Sequence, residues 1–142
     1  MRLIFSLTAF VLIPALLHAD RTVSAEEPLV SSAAAREFTA EEVAFFADKV
    51  EPILQRRCYR CHSTEKKKKG DLALNTREEI LTGGYAGPGA VPGKPAESMI
   101  FKSLNAPPDS LVPQMPPRGG KLPDAEIELI RKWIEMDLPH RK

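Results

Sequence analysis

Apolar residues at helical spacing predict a long helix in the first half of the chain. Its face consists of positions three or four residues apart: Val43, Phe46, Val50, Ile53 and Leu54. Thr39 followed by Glu42 is typical of a capping box, so we expect the helix to begin there. Pro52 lies inside the pattern and has no N–H group. The helix should therefore kink or restart at that proline.

Three shorter helices are predicted further along. Thr76 with Glu79 forms a second capping box, whose helix should end at Gly83–Gly84. Residues 96–104 predict a helix with three inward-facing side chains: Ile100, Phe101 and Leu104. The last helix should run from Asp124 to about Leu138, with an apolar stripe of Ile127, Ile130, Trp133 and Ile134.

The segments between these helices are rich in proline and glycine. Residues 83–95 read GGYAGPGAVPGKP, and residues 105–123 contain six prolines, so neither segment can be helical. A brief extended piece is expected around Leu72 and Leu74, and no βαβ pattern occurs. The pattern as a whole predicts a small all-α fold with long Pro/Gly-rich loops.

The first nineteen residues are typical of an export signal. Arg2 precedes the uncharged apolar stretch Leu3–Leu17, which Pro14 interrupts and which is short for a membrane span. Cleavage after Ala19 or, alternatively, after Ala25 would release an exported protein, periplasmic or within the cell envelope. An uncleaved signal would instead leave the protein associated with the membrane.

The remaining chain divides into a flexible lead-in at 20–38 and one domain at 39–142. The signal is richer in apolar residues than the 43% of the whole chain, so the domain has a lean core. A core of this kind usually needs a disulfide, a metal or a cofactor. The chain has 20 basic and 19 acidic residues, and this near-neutral balance disfavours a nucleic-acid partner.

The two cysteines belong to one motif, Cys58-Tyr59-Arg60-Cys61-His62, which has the C-x-x-C-H pattern of c-type haem attachment. Two residues between the cysteines allow both sulfurs to form thioethers with the vinyl groups of one porphyrin. His62 follows directly and can bind the iron as the proximal ligand. Covalent haem would also supply the apolar body that the lean core lacks.

Other interpretations of the cysteines are weaker. A zinc site needs four ligands, and beyond the motif the exported chain offers only His140. A thioredoxin-like dithiol would require a βαβ pattern. A disulfide between cysteines three residues apart would close too short a loop to stabilise the fold much.

Met115 is the favoured sixth ligand of the iron. It lies in the proline-dense segment Pro113–Pro117, whose restricted backbone could hold a thioether over the ring. Met99 and Met136 lie in predicted helices, where we expect them to fill the core. These two methionines, His140 and an open sixth position remain alternatives.

The order of these motifs resembles the planctomycete-type cytochrome c domain over about residues 43–137. The matching pieces are Val50–Leu54, Cys58–His62, Lys69–Leu74, Gly83–Gly84, Val91–Pro95 with Ser98, Met115–Pro117, and Leu122 through Ile134. The resemblance implies a class-I-like cytochrome c fold, with the N- and C-terminal helices packed around one covalent haem. It also implies His62 and Met115 as the iron ligands. Pro123 departs from the Ser or Thr that often caps the last helix in this family.

We therefore expect a monohaem c-type cytochrome, not an enzyme, that transfers single electrons between protein redox partners outside the cytoplasm. Exposed Lys66–Lys69 could dock an acidic partner, or could simply be a solvated loop. A haem sensor or peroxidase-like enzyme would need an open or labile sixth position. A secreted interaction module without haem would have its cysteines merely bridged.

Overall fold

The computed structural model describes residues 36–141. The predicted signal at 1–19, with its alternative cleavage site after Ala25, lies outside the described residues, as does most of the lead-in. Arg36 and Phe38 at the end of the lead-in contact the folded domain. The Arg36 guanidinium pairs with Glu42 and, at 2.9 Å, with Asp137, and it lies 5.1 Å above the Phe38 ring.

The first helix has three consecutive parts: α1 (Ala40–Phe45), a π-helical turn (Phe46–Val50) and α2 (Glu51–Arg57). The predicted capping box is confirmed, because the Thr39 hydroxyl accepts the Glu42 N–H at 3.2 Å and the Glu42 carboxylate accepts the Thr39 N–H at 2.9 Å. The Glu51 N–H donates to the Phe46 carbonyl, five residues back. This wider turn lets the helix continue past Pro52, which cannot donate a backbone hydrogen bond.

The other predicted helices are present with altered limits. α3 (Arg77–Thr82) begins at the Thr76 cap and ends at Gly83, which has a φ of 76°. A 3₁₀ turn at Pro95–Glu97 precedes α4 (Met99–Leu104). The last helix, α5, spans Asp124–Glu135 and has no side-chain cap at Pro123.

α5 ends three residues before the predicted Leu138 because its C-terminus is closed by backbone hydrogen bonds. The Leu138 N–H donates to the Trp133 carbonyl at 3.1 Å, and the Asp137 N–H donates to the Ile134 carbonyl at 3.0 Å. Asp137 and Leu138 adopt left-handed φ values of 65° and 62°. The Trp133 indole N–H then donates to the Pro139 carbonyl at 2.8 Å, which holds the returning chain against the helix.

The prediction of an all-α fold needs a correction, because the fold is helix-rich with a small two-stranded sheet. β1 (His62–Ser63) pairs antiparallel with β2 (Lys67–Lys68), which a 3₁₀ turn at Lys69–Asp71 follows. The chain reverses directly after the haem motif, and the sheet pairs backbone groups that the reversal would leave unbonded. The predicted extended piece forms no strand, but the Leu74 N–H donates to the His62 carbonyl at 3.0 Å.

The core lies where the first helix crosses α5, with α3 and α4 packed beside it. The Phe46 and Trp133 rings stack there with centroids 5.6 Å apart. The fully buried large side chains include Phe46, Val50, Leu54, Ile80, Leu104, Leu122, Ile130, Trp133, Ile134 and Leu138. Among residues 36–141, no helix has the length and apolar character needed to cross a membrane.

Candidate haem site

The C-x-x-C-H motif forms a tight turn at the end of α2. The backbone N–H groups of Cys61 and His62 both donate to the Cys58 carbonyl, each at 3.0 Å. This turn keeps the three side chains in one short stretch of backbone directly after the helix. Both cysteines are free, partly buried thiols. The local structure therefore presents two unpaired sulfurs and an imidazole together.

The His62 ring is oriented by the backbone. Its Nδ1 lies 3.3 Å from the Leu72 carbonyl oxygen, which can only accept a hydrogen bond. The proton of a neutral ring is then on Nδ1, and the lone pair of Nε2 is available to a metal. In metal-bound histidines, the ring nitrogen that does not bind the metal commonly donates its N–H to a backbone carbonyl. The Leu74 N–H bond to the His62 carbonyl holds the same backbone segment in place.

Burial raises the pKa of two groups in the motif, Cys58 and Tyr59. It raises the pKa of Cys58 to about 12, an effect that the neighbouring Arg57 charge partly opposes. Burial likewise raises the pKa of Tyr59 to about 12. Both groups are therefore protonated at neutral pH. The Tyr59 hydroxyl and the Ser63 hydroxyl are buried and have no hydrogen-bond partner among the described residues.

The loop that carries Met115 is tied to two neighbouring elements. The Met115 N–H donates to the Ser103 carbonyl of α4 at 2.9 Å. Further along the loop, the carbonyls of Gly119 and Gly120 accept hydrogen bonds from Arg57 Nη2 at 3.0 and 2.6 Å. Because Arg57 directly precedes Cys58, these bonds attach the Met115 loop beside the haem motif.

Residues 58–119 match the family model described as Planctomycete cytochrome C. Over these residues the chain is similar to the cytochrome c family. The match begins at the first motif cysteine and extends past Met115, whereas the sequence resemblance extended over about residues 43–137. Comparison with curated proteins and with solved structures finds no match. The family indicates haem-based electron transfer, with haem bound covalently through cysteines spaced as Cys58 and Cys61 are.

The fold places two of the alternative iron ligands, His140 and Met136, at the far end of the first helix. The His140 ring packs on Phe46, with centroids 4.3 Å apart, and Phe46 lies twelve residues before Cys58. At about 1.5 Å per residue, that separation along the helix is roughly 18 Å. The Met136 carbonyl accepts a hydrogen bond from Arg36 at 3.0 Å, which places it near the start of the same helix.

The expectation that Met99 and Met136 fill the core is wrong. Both side chains are only partly buried, and neither belongs to the buried core. Met99 is the first residue of α4, and Met136 follows the last residue of α5. Side chains at the ends of a helix extend past the surface against which the helix packs. The spacing of apolar residues does not predict where a helix ends, so it could not predict that Met99 and Met136 are only partly buried.

The residues around the motif fit a covalently bound haem. The thiols of Cys58 and Cys61 are free, and the His62 ring has one nitrogen bonded and the other available. The buried hydroxyls of Tyr59 and Ser63 are available to polar groups of a bound molecule. Among residues 36–141, the His, Cys, Asp and Glu side chains form no cluster of three or more that could hold a metal ion.

The roles of two residues, Arg57 and Ser98, in holding the loops near the motif were not predicted from the sequence. The sequence gives no reason to assign different roles to Arg56 and Arg57. Only the fold shows that Arg57 bonds the Met115 loop whereas Arg56 bonds Glu126. Ser98 looks like the N-cap of α4, but its hydroxyl instead bonds Val91 and Lys94 in the preceding loop. The sequence signal for Ser98 was its place after the PGKP segment in the family pattern.

Proposed function

We propose that the protein is a monohaem c-type cytochrome that carries single electrons between protein partners. Cys58 and Cys61 would hold the haem through thioethers, while His62 and Met115 would ligate the iron. The observation that carries the proposal is a His62 ring oriented by the Leu72 carbonyl in the same turn as two free cysteines. The Met115 loop is hydrogen-bonded to Arg57, directly before this turn. Bound haem supplies a one-electron Fe(III)/Fe(II) couple.

The residues of the chain have separate tasks in this function. The Leu72 carbonyl orients the His62 ring and leaves its Nε2 free for the iron. The Met115 thioether would fill the sixth position and favour ferrous iron. If His62 and Met115 both bound the iron, they would leave it no open position for a substrate, and the protein would act as an electron carrier.

We propose export to the periplasm or cell envelope, on the strength of the signal-like residues 1–19. Haem of the c type is attached outside the cytoplasm, so the motif and the signal are consistent. If the signal stays uncleaved, the domain would be held at the membrane surface.

A basic surface beside the motif favours an acidic protein partner. Lys66–Lys69 are all exposed, and the Lys69 N–H donates to the Cys61 carbonyl at 2.9 Å. Tyr85 is 87% exposed, and its N–H donates to the Gly70 carbonyl at 2.9 Å, so it borders the same surface. Four lysines, of which Lys68 also lies 3.9 Å from the Asp71 carboxylate, together with a neighbouring exposed aromatic ring, suit a carboxylate-rich surface. We propose that the unidentified redox partners dock there.

Mass spectrometry and an absorption spectrum of the exported protein test the proposal. A mass increase equal to one haem, with a low-spin spectrum and a far-red thioether-to-iron band in the ferric state, would support it. An unmodified mass would refute haem attachment and favour a secreted interaction module. Covalent haem that lacks the band and binds carbon monoxide readily would favour a sensor or enzyme.

A further inference from the structure

The loop that carries Met115 is hydrogen-bonded, through the Gly119 and Gly120 carbonyls, to Arg57 directly before the haem motif. We propose that Arg57 is a positioning residue that holds residues 115–120 against the motif and thereby keeps the Met115 thioether on the iron. This inference rests on the proposed function, in which Met115 is the sixth ligand.

The contact between Arg57 and the loop is well built for this task. Its Nη2 donates to two successive carbonyls, at 3.0 Å to Gly119 and 2.6 Å to Gly120. Hydrogen bonds from a charged donor are stronger than neutral ones. Gly119 and Gly120 have φ values of 82° and 74°, a conformation that other residues rarely adopt. A Cβ on Gly119 would lie 3.9 Å from Arg57 Nη2, so the guanidinium packs directly on this glycine.

The loop has two other attachments to the domain. The Met115 N–H bonds the Ser103 carbonyl in α4, and the buried side chain of Leu122 joins the hydrophobic core at the end of the loop. Without Arg57, these attachments would keep the loop on the domain. Neither of them is a hydrogen bond to α2, which ends at Arg57. Loss of Arg57 should therefore loosen the loop locally while leaving the fold in place.

Arg56 offers a matched control. It carries the same charge one residue earlier in α2, but its guanidinium pairs with Glu126 of α5 at 2.9 Å and does not bond the Met115 loop. Removing either arginine lowers the net charge equally. A difference between the two variants therefore reports the contact with the loop.

The test measures how readily imidazole displaces the thioether in ferric protein that carries covalent haem. We expect Arg57→Ala to bind imidazole about tenfold more tightly than wild type, which corresponds to about 1.4 kcal/mol of loop closure. Arg57→Lys should fall between them, because its ammonium keeps the charge but lacks the planar geometry that directs the two N–H groups of Nη2 at the two carbonyls. Arg56→Ala should stay within about twofold of wild type, since its contact lies elsewhere.

Amide hydrogen exchange of residues 115–121 provides a second readout that does not depend on the iron. Exchange should accelerate in Arg57→Ala and not in Arg56→Ala. Equal imidazole affinity and equal exchange in the two variants would overturn the role of Arg57 while leaving Met115 as the ligand. Ferric wild type without the thioether band would overturn the Met115 assignment and the positioning role together. Should Arg57→Ala fail to retain haem, the same comparisons between Arg57→Lys and Arg56→Ala decide the question.

Discussion

Ser98 holds the loop that precedes α4 in place through hydrogen bonds. The loss of unfolding free energy in Ser98→Ala can be estimated from these bonds. The side chain is fully buried, and its hydroxyl accepts the Val91 N–H and donates to the Lys94 carbonyl, both at 2.9 Å. The same loop bonds α5 through the Gly93 N–H and the Ile134 carbonyl at 2.8 Å. Ser98→Ala would leave the Val91 N–H without a partner, while water could reach the more exposed Lys94 carbonyl.

An orphaned backbone donor costs about 1–3 kcal/mol, and a rehydrated carbonyl costs little, so we expect a loss of about 2 kcal/mol. For a domain of about 100 residues, each kcal/mol lowers Tm by about 4–8 °C, so Tm should fall by roughly 10 °C. Circular dichroism of the haem-loaded protein measures this fall.

Ser103→Ala is the matched control for Ser98→Ala. Ser103 is also buried, but its hydroxyl bonds the Ile100 carbonyl within its own helix at 2.9 Å, a bond that adds little stability. Its replacement should change Tm by only a few degrees. Equal falls in the two variants, or a fall below about 3 °C in Ser98→Ala, would refute the reasoning.

Four further variants test the site and its surface. Met115→Ala should keep covalent haem but lose the far-red band and lower the reduction potential, because a thioether favours ferrous iron. Replacing the partly buried Met99 by alanine should keep the band and cost at most about 1 kcal/mol of stability. Replacing both Cys58 and Cys61 by alanine should leave a largely unfolded chain by circular dichroism, since the core is lean without porphyrin. Changing Lys66–Lys69 to glutamine should slow oxidation of the ferrous protein by ferricyanide and speed oxidation by a tricationic cobalt complex, with both effects fading as salt rises.

Each of these predictions has a contradictory outcome. A band that survives Met115→Ala and disappears in Met99→Ala would reassign the sixth ligand. Native-like cooperative melting of the double cysteine variant would show that the core suffices without haem. If the anionic and cationic oxidants respond alike to salt and to the lysine changes, the basic surface exerts no useful field at the haem motif.

Short-range patterns were sufficient for the elements whose interactions are local. The capping interactions at Thr39 and Thr76 act over three residues. The full capping box forms at Thr39, whereas at Thr76 the hydroxyl accepts the Glu79 N–H and the Glu79 carboxylate bonds the hydroxyl, not the Thr76 N–H. The C-x-x-C-H motif needs only five consecutive residues, so its chemistry can be interpreted without a fold. Gly83 ends its helix in a conformation that suits glycine, again a property of one position.

Contacts between distant segments decided the rest. The backbone after His62 forms a sheet because the chain folds back on it, and α5 stops at Glu135 because residues 137–139 return to bond Trp133 and Ile134. Arg56 and Arg57 are equivalent in the sequence, and only the fold places Gly119 and Gly120 beside one of them. These interactions join residues far apart in the chain, so their partners emerge only when the core brings the segments together.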